Sequence, residues 1–252
     1  MALPIISDWH FYAVAVPAVL MLGVSKSGFG AGFGSLAVPL LALAVTVPQA
    51  AAILMPVLLL MDLLGIAAFR RDFDRSLLYF LIPCGLVGTL IGTVLFRVLP
   101  AHTVAGIVGV FTLLFLAQRL LLPPRSDAPP PSKTTGAVLT AIGGFTSFIA
   151  HAGGPPVNAY VIPLRLTPVA YTATLAYFFF VVNLSKWLPY AWLGLLDWRN
   201  MATSLVLLPI APLGVWLGIR IARRIDAAWF YRFVYLGMLL TGLKLSWDGF
   251  SA

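Results

Sequence analysis

The sequence predicts an all-α, polytopic helical membrane protein made of two inverted structural repeats, each with a broken or re-entrant helix. Three observations carry this. Of 252 residues, 61% are hydrophobic and 10% charged, with a mean hydropathy of +0.99. A soluble domain carries nearer 25% charge. Apolar stretches of about 20 residues, the length that crosses a bilayer core, recur to the end of the chain. Two glycine-rich interruptions stand at matching places in the two halves.

The first interruption runs Ser25-Lys26-Ser27-Gly28-Phe29-Gly30-Ala31-Gly32-Phe33-Gly34 and continues to Pro39. Each interior glycine costs about 1 kcal/mol relative to alanine in a helix. Within a bilayer, broken backbone is tolerated only where it is buried in protein or lines a polar cavity. The run therefore predicts the tip of a broken helix, with free N–H groups beside a lysine. The second interruption is His151-Ala152-Gly153-Gly154-Pro155-Pro156-Val157-Asn158, which leads to Pro163. Paired interruptions of this kind point to a transporter site. The arms around the first, residues 11–24 and 28–45, span about 21 and 27 Å as helices, short of a ~30 Å core. They fit two short helices or a re-entrant hairpin.

Full spans are expected at 50–69, 77–96 and 101–122, then at 170–193, 201–222 and 227–247. The Gly88-x-x-x-Gly92 spacing permits close helix packing. The chain divides into a first transmembrane repeat (1–122), a Pro-rich cytoplasmic linker (123–135) and a second transmembrane repeat (136–252). An offset of 124 residues pairs Gly30 with Gly154 and Pro39 with Pro163; an offset of 126 pairs Pro83, Gly88 and Gly92 with Pro209, Gly214 and Gly218. Asp197-Trp198 compares with Asp72-Phe73. The halves are inverted if each interruption enters and returns, and parallel if it crosses. Cytoplasmic loops collect Lys and Arg. The inverted scheme gathers the arginines around 70–75, 119–133 and 220–232 on one side, so it is preferred, with the linker inside and both termini outside.

The net charge of +8 follows from sixteen Lys/Arg against eight acids, and it reads as this topological bias rather than nucleic-acid binding. The N-terminus lacks the basic region of a secretory signal, so the first apolar segment is expected to remain. A single cysteine, Cys84, excludes an intrachain disulfide. No Walker A pattern, metal-ligand spacing or catalytic triad is legible. No cofactor and no enzyme activity are therefore expected. An intramembrane enzyme and a nontransporting scaffold remain the alternatives.

The candidate substrate-binding residues sit at the two tips: Lys26, Ser27, Gly30, Gly32, His151, Gly153, Gly154 and Asn158. Lys26 offers a positive charge, helped by N–H groups at a half-helix N-terminus. His151 could bind an anion or shuttle a proton, or simply pack. Asn158 could donate to an oxyanion, or cap the half-helix beginning there. Asp62 and Lys186 pair at offset 124 as candidates for coupling or gating. Inverted halves place them toward opposite faces, with Lys186 able to snorkel beside Trp187 and Trp192. Trp187, Tyr190, Trp192 and Trp198 read as an interface belt, and His10 and His102 as loop residues.

The run Gly28 to Gly34 leading to Pro39-Leu40, its echo at Gly153-Gly154 leading to Pro163-Leu164, and the duplicated layout over nearly the whole chain resemble the TauE/SafE sulfite-exporter family. Pro155-Pro156 departs from the glycine-rich form of the second copy. The resemblance implies a permease or exporter, in the bacterial inner membrane, for sulfite, organosulfonates or related small anions. The expected partners are a small anionic substrate and the lipid bilayer. Coupling to protons or sodium and homo-oligomerisation are left open, and no nucleic-acid partner is expected.

Overall fold

The computed structural model describes residues 5–26, 33–69, 71–121, 130–222 and 227–251, and these are helical with no strand among them. The first half contains α1 (Trp9–Lys26), a 3-10 turn (Phe33–Leu36) running into α2 (Ala37–Leu41), then α3 (Val47–Phe69), α4 (Arg75–Val98) and α5 (Ala101–Leu121). The second half repeats the order: α6 (Lys133–Ala150), α7 (Gly154–Val161) with its 3-10 turn (Ile162–Leu164), α8 (Pro168–Ser185) with α9 (Trp187–Trp192), α10 (Trp198–Leu207) with α11 (Ile210–Ala222), and α12 (Ala227–Phe250). Among the described residues four helices are long and apolar enough to cross a membrane, and the α10–α11 pair, bent by 42°, makes a fifth. The bend has a cause: Pro209 cannot donate to the carbonyl four residues back. The chain is a multi-pass, all-α membrane protein.

Side-chain caps set several helix starts. Asp74 accepts from the Leu77 amide at 2.9 Å, and Asp197 from the Asn200 amide at 2.7 Å. Asp197 thus corresponds to Asp74 rather than to Asp72. Ser132 accepts from the Thr135 amide at 3.1 Å, so the linker ends at Ser132 and residues 133–135 are already helical. His10 and His102, expected in loops, lie in the first turns of α1 and α5.

The first arm is longer than the apolar run implied. α1 has 18 residues, about 27 Å at 1.5 Å per residue. It begins beside the start of α3 and α10: the Ile6 amide donates to Thr203 Oγ1 at 3.1 Å, Ser204 Oγ to the Ile53 carbonyl at 2.7 Å, and Gln49 Nε2 to Asn200 Oδ1 at 3.1 Å. It ends where Lys26 bonds Asp62, about two-thirds of the way along α3. The chain must then come back to Val47, which α2 leads into. α6 and α7 make the corresponding hairpin. A side chain on Gly136 would strike Tyr160, and one on Gly143 would strike Val157, so early α6 faces late α7 and the arms run antiparallel.

The helices pair across the halves in an exchanged pattern. α4 of the first half packs on α6 of the second, and α11 of the second packs on α1 of the first. The equivalent helices α3 and α8 pack on each other, as do α5 and α12. Both latter pairs run antiparallel: Gly65 faces Ala176 while Asp62 faces Asn183, and Gly106 faces Gly249 while Gly109 faces Ser246. Glycine makes these crossings possible. A Cβ on Gly88 would meet the Ala141 carbonyl, one on Gly144 the Gly85 carbonyl, and one on Gly23 the Gly214 backbone. Small residues let helix backbones approach where lipid supplies no hydrophobic drive.

Gly88→Ala is expected to lower the unfolding midpoint in detergent, with a cost of about 1–3 kcal/mol from overpacking. Gly65→Ala, whose Cβ would rest 3.3 Å from the Ala176 Cβ, is expected to cost less. Thermal unfolding of the two purified variants checks the order.

Candidate functional site

The two hairpin tips and the helix pair α3–α8 meet in one buried polar network. Lys26, the last residue of α1, forms an ion pair with Asp62 of α3. Asp62 is 1% exposed and accepts a second bond from Asn183 Nδ2 of α8 at 2.5 Å. Since a carboxylate only accepts, the amide nitrogen of Asn183 must face Asp62. Its oxygen then turns the other way and accepts from Lys186 Nζ at 2.7 Å. Lys186 is fully buried and donates further to the Ser147 carbonyl at 2.7 Å and to Ser147 Oγ at 2.8 Å. His151 Nδ1 lies 3.2 Å from the same ammonium.

Local backbone explains why these groups converge. His151 caps α6 in the left-handed conformation, φ 51°, so the helix stops and its ring turns across the tip. Nε2 lies 2.8 Å from the Ala51 carbonyl, and Nδ1 faces the Lys186 ammonium. The carbonyl can only accept, so Nε2 carries the proton, and the neutral Nδ1 turns its lone pair to the ammonium, whose three protons are shared among four acceptors. Pro56 removes the donor that Ala52 would otherwise use, loosening the α3 ladder beside the Ala51 carbonyl. Asn183 and Lys186 stand three residues apart, hence on one helix face. Tyr190, one turn beyond Lys186, donates to the Phe148 carbonyl at 2.6 Å and pins α9 to the α6 tip.

The network corrects two expectations. Asp62 and Lys186 do not lie toward opposite faces; Asn183 joins them, because α3 and α8 cross antiparallel at this depth. Lys186 does not snorkel, being 0% exposed, and the aromatic belt splits accordingly. Tyr190 is buried, whereas Trp192 and Trp198 are exposed at 60% and 67%.

Of the other tip residues, Ser27, Gly30 and Gly32 lie outside the described residues. Gly153 is the N-cap of α7, and a side chain there would meet the Gly143 carbonyl, Ser147 and Phe179. Phe179 in turn lies under Lys26, its ring centre 5.6 Å from Nζ. Gly153 and Lys26 thus flank one aromatic ring. Gly154 opens α7, but Pro155 and Pro156 carry no N–H, and the Val157 amide donates to the Gly153 carbonyl at 3.4 Å. The second tip therefore offers few free backbone donors. Asn158 is not the cap of this helix; it lies within α7 and accepts from the Tyr171 hydroxyl at 2.7 Å.

Asn183, Ser147 and Phe179 carry no role in the sequence reading, and Tyr190 is read there as an interface residue. For Asn183 a signal existed: a polar residue three positions from a lysine inside an apolar span. The Ser147 and Phe148 contacts run partly through backbone carbonyls and have no such signature.

A cavity of about 240 Å³ lies beside the tips, between α5, α6 and α7. Its walls are mainly apolar, including Phe111, Phe115, Ile142 and Pro155, with Ser35, Thr112, Gln118 and Thr146 among the polar ones. Among the described residues no lysine, arginine or histidine lines it.

The fold is that of a multi-pass helical membrane protein in which two helix interruptions meet one polar network. The family model for the sulfite exporter TauE/SafE matches residues 15–245, and the chain belongs to that family. No curated protein and no solved structure matches it. The family implies a membrane exporter of sulfite or a related sulfur anion.

Asn183→Leu strips a partner from Asp62 and another from Lys186. Leaving buried groups unsatisfied costs about 1–3 kcal/mol each. The variant is expected to unfold at a clearly lower temperature than Tyr171→Phe, measured in the same detergent.

Proposed function

We propose that the chain carries a small sulfur oxyanion, sulfite or an organosulfonate, across the bacterial inner membrane by alternating access around the Lys26–Asp62–Asn183–Lys186 network. One observation carries the reading: the network holds two lysines but one carboxylate, which pairs with Lys26 and reaches Lys186 only through the Asn183 amide, so by formal charge it has one cation more than it has anions. Buried charge is costly unless it is paired, so an incoming anion is favoured there. Lys26 is the member that an anion can reach, with its side chain 24% exposed against 1% for Asp62. It lies next to the glycine run and over Phe179. The anion competes with Asp62 for Lys26, and release of Asp62 loosens the contact between α1 and α3. That exchange gives binding a route to opening. His151, Gly153 and Gly154 line the approach from the second tip, and Asn158 supports α7 behind them.

We propose that the halves are inverted, an arrangement that suits alternating access. If each half contributes one hairpin that returns and three crossings, the second half starts on the side where the first ended and runs the other way. The antiparallel packing of the equivalent pairs α3–α8 and α5–α12 agrees with that geometry. Single cysteines at Ser126 and Ser251, in a Cys84→Ser background, are then expected to react with impermeant reagents from opposite faces. Labelling from one face for both means parallel halves.

Uptake of labelled sulfite into proteoliposomes tests the function. Lys26→Ala is expected to weaken anion affinity about 10- to 100-fold, the loss of one charge-assisted bond of about 1.5–3 kcal/mol. Unchanged affinity in a folded variant removes Lys26 from the site. Absence of anion flux from the wild-type protein removes the transport reading.

A further inference from the structure

Lys186 is enclosed more like a bound ion than like a side chain in an ion pair. Its ammonium meets no carboxylate within 4 Å among the described residues. Instead it sits among the Ser147 carbonyl, Ser147 Oγ, Asn183 Oδ1 and His151 Nδ1, at 2.7, 2.8, 2.7 and 3.2 Å. Two of these groups can only accept. Asn183 Oδ1 is held toward Nζ because its nitrogen is committed to Asp62. The Ser147 carbonyl belongs to the last turn of α6, where the helix dipole favours positive charge. A site of neutral oxygen donors with a carboxylate one residue further out is the coordination that hard monovalent cations take from proteins. A carbonyl and side-chain oxygens from a broken helix and its neighbour serve that purpose in transporters. Here the lysine stem fills the same position from within the chain.

We infer that the Ser147–Asn183–His151 cage is a monovalent-cation site whose resident cation is the tethered ammonium of Lys186. The chain therefore has no use for a free sodium ion at this place, and sodium does not couple to its activity. The cage is a property of the fold and holds whatever the substrate is; only the statement about coupling rests on the transport reading.

The test truncates the lysine and offers the cation back. Purified Lys186→Ala is unfolded thermally in detergent at equal ionic strength, in choline, sodium, potassium, ammonium and propylammonium chloride. Ammonium or propylammonium is expected to raise its midpoint over choline by about 3 °C or more, the size expected for about 1 kcal/mol in a chain of this length. The wild-type midpoint is expected to be the same in all five salts. A Lys186→Ala midpoint indifferent to every small cation overturns the inference. So does a sodium-specific rise in the wild-type protein, a measurement that needs no variant to fold. In proteoliposomes, wild-type sulfite flux is expected to persist when sodium is replaced on both sides by choline. Flux that disappears only without sodium overturns the inference, whereas flux absent in both media overturns the transport reading and leaves the thermal result to stand.

Discussion

The Asp62 carboxylate joins three helices that each need a partner for a buried polar group. It takes Lys26 from the tip of α1 and Asn183 from the middle of α8, and through Asn183 it reaches Lys186. A short acid deep in an apolar helix cannot reach water, so its partners must come to it. That requirement sets the depth at which α1 stops and the register in which α3 crosses α8. The α6 tip is drawn to the same place, since Lys186 needs the Ser147 carbonyl and His151 spans from there to the Ala51 carbonyl.

The two tips solve the same geometric problem with different chemistry, a cation at one and neutral acceptors at the other. In the first half the tip supplies the cation, Lys26, and the neighbouring span supplies the acid. In the second half the equivalent span position is Lys186, and the tip answers with a carbonyl, a hydroxyl and a neutral imidazole. The halves resemble each other in backbone while their polar groups differ. The result is one asymmetric polar network rather than two equivalent ones.

Close crossings allow this. The network spans four helices, and its bonds hold only if the backbones stay in register to within about an ångström. Gly23 against Gly214, Gly88 against Ala141 and Gly144 against Gly85 bring helix axes together, and side chains at those places would push them apart. Close glycine contacts, two of them within one turn of Lys26 and Ser147, therefore help to set its geometry.

Composition and hydropathy determined a great deal. They are local quantities, and a bilayer converts them directly into helices and crossings; the all-α polytopic class, the two interruptions and the duplicated order were legible for that reason. Lys26, Asp62, His151 and Lys186 stood out because charge and imidazole are conspicuous among leucines. What the sequence could not determine was who meets whom. The offset between halves placed Asp62 and Lys186 in equivalent positions, yet equivalence says nothing about distance. That depends on how far α1 enters and on the rotation of α8 against α3, where the partners of Asp62 and the close contacts Gly23–Gly214 and Gly65–Ala176 act together. The C-capping turn of His151 and the orientation of the Asn183 amide follow from partners on other helices. Only the tertiary structure decides them, because a hydrogen bond between helices has no signature along the chain until the helices are packed.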